Sequence, residues 1–289
     1  MRKLILCLLP ALLAGTAFAE TPFSCDSCAT WNTTQTPFRL YGNAYYVGPH
    51  GLSSVLITSK EGHILIDGAV PESAPKIAAS IRELGFKVED IKLILNTHVH
   101  FDHAGGIAEL QKLSGAKVAA SASSAKVLQS GAPGKDDPQF GTLPPISRVS
   151  NVRVFKDGET LHVGALAVTA HSTPGHTPGG TTWSWTSCEG KRCLNMVYAD
   201  SLTPVSAPGF RFVPNVLPSF EKSYATLSAL PCDVLLTAHP DVTDLWARLD
   251  KREKAHDPDG LVDAKACLKY VEASRERLNK RIAEEKAAP

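Results

Sequence analysis

His98, His100, Asp102 and His103 fall within six residues, in the segment Asn96-Thr97-His98-Val99-His100-Phe101-Asp102-His103-Ala104-Gly105-Gly106. Imidazoles and a carboxylate at that density are metal-ligand chemistry. A nitrogen-rich donor set of this kind suits zinc, whereas magnesium and calcium take shells of oxygen. The apolar run Ile91–Leu95 immediately before it reads as a buried strand. In an extended segment, residues two apart point to the same side, so His98 and His100 can address one ion together. Asp102 and His103 then begin a helix. The chain reversal turns them towards a second ion beside the first, and Gly105-Gly106 permits close backbone approach.

One strand end supplies only part of a coordination shell, so further ligands must come from distant segments. The remaining histidines are His50, His63, His162, His171, His176, His239 and His256. His176 lies in Pro174-Gly175-His176-Thr177-Pro178-Gly179-Gly180, where prolines and glycines fix an unusual backbone path. His239 follows the apolar strand Val234–Leu236, again at a strand end. His171 competes with His176, and the residues alone leave both open.

The elements that must position these groups come in two successive halves. Arg39–Val47, Leu52–Thr58 and His63–Asp67 read as a meander of strands rich in β-branched and aromatic residues. A helix over Pro71–Leu84, the strand Ile91–Leu95, a helix from His103 to Leu113 and a strand near Ala116–Ala120 follow. Ser130–Pro145 is dense in Gly, Pro and Asp and reads as a long loop. The second half has strands at Val152–Phe155, Leu166–Ala170, Thr181–Trp185 and Leu194–Tyr198, then a helix near Phe220–Leu230 and a strand Val234–Leu236. A last helix runs from about Leu261 into the charged tail. The expected fold is therefore α+β: an αβ/βα four-layer sandwich with two β-sheets face to face and helices on the outer faces.

Composition sets the compartment. The 289 residues are 43% hydrophobic and 20% charged, a globular balance. Arg2 and Lys3 precede an apolar run from Leu4 to Leu13, and Ala17-Phe18-Ala19 has the small-x-small form of a signal-peptidase site. That apolar run is shorter than the ~20 residues of a membrane span, so residues 1–19 read as a cleaved signal peptide and no membrane anchor is expected. Residues 20–289 are then the mature chain, a single domain with halves at about 20–145 and 146–289. Losing Arg2 and Lys3 takes the formal net charge from +1 to −1, which excludes a nucleic-acid binder. Cys7 leaves with the leader. The other six cysteines, an even set in an exported chain, favour disulfides. The rival for Cys25-x-x-Cys28 is a structural zinc site, which would lack a second pair nearby.

The order His98-x-His100-x-Asp102-His103, then His176 in Gly-His-Thr-Pro-Gly, then His239 resembles the metallo-β-lactamase superfamily along nearly all of the mature chain. The resemblance decides for His176 over His171. Ala199-Asp200-Ser201-Leu202-Thr203 and Leu230-Pro231-Cys232-Asp233-Val234-Leu235-Leu236-Thr237-Ala238-His239-Pro240 are similar, more narrowly, to its third subclass of zinc β-lactamases. Ser201 stands near the place where the other two subclasses use a cysteine ligand. The resemblance implies a first zinc on His98, His100 and His176 and a second on Asp102, His103 and His239. It also implies hydrolysis of the β-lactam amide by a metal-bridging hydroxide that Asp102 orients, in the periplasm of a bacterium that thereby resists these antibiotics. Ser201, Thr203 and Gln139 are the substrate contacts it implies, and the enzyme is expected to be a monomer. Asp200 sits where much of the superfamily places a carboxylate bridging two metals, a role the third subclass does without.

By the same resemblance Cys232 bridges to Cys267, and Cys188/Cys193 is similar to a short extra disulfide loop. Related chains pair an N-terminal cysteine with one in the loop after the first strands. His50 stands there instead, which leaves the pairing of Cys25 and Cys28 open. Two other functions remain in view: another exported two-metal hydrolase of the same fold, acting on lactones or thioesters, and a non-catalytic periplasmic metal-binding protein.

Overall fold

Alternation of apolar side chains decides the layers. Along β3 (Val55–Ile57), Val55 and Ile57 face one cluster and Leu56 the other; along β4 (His63–Ile66), Ile64 and Ile66 part from Leu65 in the same way. Strands that bury both faces must lie between two other layers. The computed structural model, which describes residues 25–287, has that four-layer order. The leader at residues 1–19 and the mature start at Glu20 lie outside the described residues.

The first sheet is a meander, β1 (Phe38–Tyr41), β2 (Ala44–Tyr46), β3 and β4, that continues in parallel through β5 (Ile91–Leu95), β6 (Lys117–Ala120) and β7 (Val152–Val154). Parallel neighbours need crossovers. α2 (Ala74–Glu83), α3 (Phe101–Ala104) with α4 (Ile107–Ser114), and α5 (Ala122–Ser130) supply them and cover the outer face. The one-turn helix α1 (Cys28–Trp31) precedes this sheet.

The second sheet has the order β12-β11-β10-β9-β8, with β8 (Thr160–Val163), β9 (Leu166–Ser172), β10 (Thr181–Glu189) and β11 (Arg192–Ala199) antiparallel. After α6 (Phe212–Asn215) and α7 (Leu217–Ser228), β12 (Val234–Thr237) joins β11 in parallel. α8 (Leu245–Lys254) and α9 (Ala266–Ala287) close the chain, with α7 and α9 on the outer face. Between the sheets Tyr46, Ile57, Ile64, Ile66 and Leu95 meet Val168, Trp183, Met196, Tyr198 and Leu236. Each fully buried Ile or Leu there contributes about 1.5–3 kcal/mol.

The elements differ from the sequence reading at physical breakpoints. Gly42, with φ of 55°, turns the expected strand Arg39–Val47 into the hairpin β1–β2. The expected helix His103–Leu113 divides into α3 and α4 at Gly105-Gly106. A Cβ on Gly106 would overlap the Gly68 carbonyl oxygen, so this close approach needs glycine. The last helix begins at Ala266 rather than near Leu261, because the Asp263 carboxylate takes the Lys265 amide in a turn just before it. Three disulfides are present: Cys25–Cys28, Cys188–Cys193 and Cys232–Cys267. The first closes the Cys-x-x-Cys pair on itself and removes the structural-zinc reading. Among the described residues no helix is long and apolar enough to cross a membrane.

Candidate metal centre

Five strands present their C-terminal ends to one rim of the sandwich. Asp67 follows β4, His98 follows β5, His176 lies beyond β9, Asp200 follows β11 and His239 follows β12. Asp67 adopts the left-handed conformation, with φ of 62°, an uncommon geometry for a residue with a Cβ. Its carboxylate accepts from the Thr97 amide (2.8 Å), the Thr97 hydroxyl (2.7 Å) and the Tyr198 phenol (3.0 Å). Burial pushes its pKa up to about 6, partly offset by His103 and these donors. The turn that carries His98 is thereby tied to two strands.

Three imidazoles converge beyond it. The ligand atoms of His98, His100 and His176 lie within 4.8 Å of one another, all buried. Each ring is held from behind. His98 Nδ1 is 2.7 Å from Asp200 Oδ1, His100 Nε2 is 3.1 Å from Asp137 Oδ2, and His176 Nδ1–H donates to the Thr203 carbonyl at 2.8 Å. An outer acceptor of this kind fixes the tautomer and turns the other nitrogen towards an ion. His98 Nε2 is buried and has no hydrogen-bond partner, a costly arrangement for a polar atom unless a cation takes its lone pair. Burial, and then the neighbouring imidazoles, hold His98 well below the usual histidine range; the same causes bring His176 down to about 3. Neutral rings are the ligand form.

A second group adjoins the first. Asp102 Oδ2 lies 3.3 Å from the Nε2 atoms of both His103 and His239, and those two nitrogens are 3.2 Å apart. The ligand atoms of His98, Asp102 and His103 also gather within 4.8 Å. His98 Nδ1 is taken by Asp200 and its Nε2 also joins His100 and His176, while His239 Nε2 lies beside Asp102 and His103 at the same rim. Burial opposes charge on Asp102, but His103 and His239 outweigh it and hold the carboxyl well below its usual range. Burial likewise opposes charge on His103, and Asp102 with Asp67 overcomes it and raises the imidazole. Five imidazoles and one carboxylate, with His98 Nε2 and His103 Nδ1 buried without a hydrogen-bond partner, fit two small divalent cations.

Other candidates fall elsewhere. His171 sits on β9, where its Nε2 meets the Ser184 hydroxyl at 2.7 Å, outside both groups. His50 stacks on Trp246 at 4.2 Å and pairs with Gln35. Gln139 reaches the rim, with its Nε2 at 3.4 Å from His100 Nδ1. Ser201 is buried beside Asp200, while the Thr203 hydroxyl lies 3.3 Å from His176 Nδ1, behind the ring. Trp31 packs against His239, with ring centroids 5.2 Å apart. Asp200 takes neither metal group directly. A Cβ on Gly180 would overlap its Oδ2, so the carboxylate lies against backbone behind His98. Burial pushes the Asp200 carboxyl well up.

The sequence reading missed Asp67 and Asp137. A carboxylate ending the all-apolar run Ile64–Ile66 is a signal for the first. Asp137 is 37 residues from His100, inside a loop, and nothing local marks it.

The model of the metallo-β-lactamase superfamily matches residues 47–185. Two solved structures are similar along most of the chain. The Rm3 metallo-β-lactamase is 55% identical, with 91% of this chain and 99% of that one covered and a TM-score of 0.89. MEM-A1, a subclass B3 metallo-β-lactamase from a soil metagenome library, is 53% identical, with 89% and 99% covered and a TM-score of 0.86. A hydroxyacylglutathione hydrolase from Cereibacter sphaeroides is 28% identical over 181 residues, 62% of this chain. The alignments span 58%, 32% and 41% of the first curated relatives, less than two thirds of their length.

The fold, the two ligand groups and this identity place the chain in the metallo-β-lactamase superfamily. Within it, the chain is most like the subclass B3 metallo-β-lactamases among these relatives.

Proposed function

We propose that this protein is an exported, zinc-dependent β-lactamase that opens the lactam amide of its substrate. The observation that carries the reading is the double ligand group, His98/His100/His176 and Asp102/His103/His239, gathered at one rim with an acceptor behind each ring of the first. When bound, two zinc ions supply hydroxide at neutral pH and polarise the lactam carbonyl. Asp102 supplies the one negative charge in the ligand set, so the loaded site is cationic and attracts the carboxylate that β-lactams carry. Ser201 and Gln139 are the proposed polar contacts to that substrate, and Thr203, whose hydroxyl lies behind the His176 ring, would have to turn to join them. Three disulfides suit the oxidising periplasm, and one mature domain acting as a monomer completes the proposal.

Ser123 and Lys126 have the Ser-x-x-Lys spacing of a serine nucleophile and its base. Ser123 is half-buried and Lys126 exposed on α5, and among the described residues no hydrogen bond joins them, so they make no competing active site. Lactone and thioester hydrolases of this fold usually place a carboxylate between the metals. Asp200 is committed behind His98 instead, which favours the lactam. Side-by-side assays on a carbapenem, a chromogenic cephalosporin, a homoserine lactone and a glutathione thioester test the choice. Turnover of the lactams is expected, and turnover of the lactone or thioester alone overturns the assignment.

Asp137 has a testable part in the same site. Besides holding His100, its Oδ1 accepts the Gln139 amide at 2.8 Å, so one carboxylate links the first ligand group to the Ser130–Pro145 loop. Asp137→Ala should weaken the first zinc about 10–100-fold, as loss of an outer acceptor does elsewhere. Competition with a chromophoric chelator reads this directly, and unchanged affinity would show that His100 needs no orienting carboxylate.

A further inference from the structure

We propose that Tyr270, on α9 and outside both ligand groups, is a positioning residue for the metal centre: its phenol clamps the backbone loop that orients His98 and His176. The inference rests on the reading of those two histidines as zinc ligands.

The Tyr270 hydroxyl donates to the Asp200 carbonyl at 2.9 Å and accepts the Leu202 amide at 2.9 Å. β11 has ended at Ala199, so these two backbone groups have no strand partner, and buried backbone groups must be satisfied somewhere. One side chain satisfies both. Tyr270 is only 4% exposed, Leu202 1%, and burial raises the phenol, which keeps it a donor at working pH.

The clamped loop has a ring of the metal centre at either end. The Asp200 carboxylate holds His98, and the Thr203 carbonyl holds His176. A shift of residues 200–203 therefore moves two of the three first-group ligands at once. Ser201, the proposed substrate contact, rides between them.

The other side of the clamp is anchored too. Cys267 precedes Tyr270 by three residues, on the same face of α9, and is bonded to Cys232 just before β12. β12 ends near His239. Through Tyr270 and this disulfide, α9 ties the loop after β11 to the strand that delivers a ligand of the second group.

The test pairs Tyr270→Phe with Tyr224→Phe. Tyr224 is a buried phenol in the same apolar cluster whose hydroxyl has no hydrogen-bond partner among the described residues. Zinc affinities are measured by chelator competition, without reference to turnover. One of the two zinc ions should bind about tenfold more weakly to Tyr270→Phe, while Tyr224→Phe keeps both affinities. If the wild-type protein binds two zinc ions and Tyr270→Phe matches it, even with a lowered Tm, Tyr270 is structural only and the proposal is overturned. A wild-type protein that binds no zinc overturns the metal-centre reading instead.

Hydrogen exchange in the wild-type protein decides the matter independently of whether the variant folds. The Leu202 amide should exchange slowly, and zinc should slow it further, because coupling between clamp and ligands is reciprocal. A Leu202 amide indifferent to zinc overturns the proposal.

Discussion

Stripping the protein of metal should reduce β-lactam hydrolysis at least about a thousandfold, and adding zinc back should restore it. The residues at the rim explain why so little would remain. His98 and His176 are held neutral and face inward, and Asp102 is paired with His103 and His239. None of these groups is poised as a nucleophile towards an amide, and Ser123 with Lys126 lies apart on α5. The loss should come with a change that needs no substrate. Ligands that bind only the folded state stabilise it by about 4 kcal/mol at a thousand times Kd, so the metal-free protein should melt at a lower temperature. Elemental analysis of the active protein should find two zinc ions per chain. Full turnover with less than one ion per chain would overturn the two-metal reading.

The part of the site written in one stretch of chain was the legible part. His98, His100, Asp102 and His103 stand together because a strand end and a helix start lie side by side, and their spacing reports that geometry directly. His239 was readable for a similar reason, as a histidine just beyond an apolar strand. Choosing His176 over His171 was different. His171 lies in β9 and His176 just beyond it; the residues alone leave both open, the family resemblance favours His176, and the fold has His171 meeting Ser184 while His176 turns to the rim. The outer acceptors were least legible. Asp137 and Asp200 find His100 and His98 across 37 and 102 residues of chain, a tertiary relation that no local pattern encodes.

Among elements, the buried parallel strands β5, β6 and β12 match their apolar runs closely, because burial on both faces leaves few alternatives, whereas β10 runs on to Glu189 beyond the expected Trp185 as its end becomes polar and exposed. The short strand β8 was not read. It has four residues and exposes Thr160 and His162, so its apolar signal is weak. α5 carries a weak apolar signal too. Its nine residues are rich in serine and alanine, and it is defined by the Ser121 side chain capping the Ser124 amide and by Gly131 at its end in the left-handed conformation.

Asp102→Asn should lower kcat about a thousandfold, comparable to losing a preorganised electrostatic contact worth roughly 4 kcal/mol. The substitution preserves shape and removes the only negative charge in the ligand set. Asp102 Oδ2 stands 3.3 Å from both His103 and His239, so an amide there would meet the second cation with a neutral oxygen or aim its NH2 group at it. The first group does not depend on this carboxylate, since Asp200, Asp137 and the Thr203 carbonyl orient its rings. Zinc content should therefore fall from two ions per chain to one, with the surviving ion bound about as tightly as before. That selectivity separates loss of a ligand from general loss of structure, which would release both ions together. If Asp102→Asn retained two ions and wild-type kcat, Asp102 would be neither a ligand nor an orienting group. In that case the second cation would have to rest on His103 and His239, whose Nε2 atoms lie 3.2 Å apart, without the carboxylate.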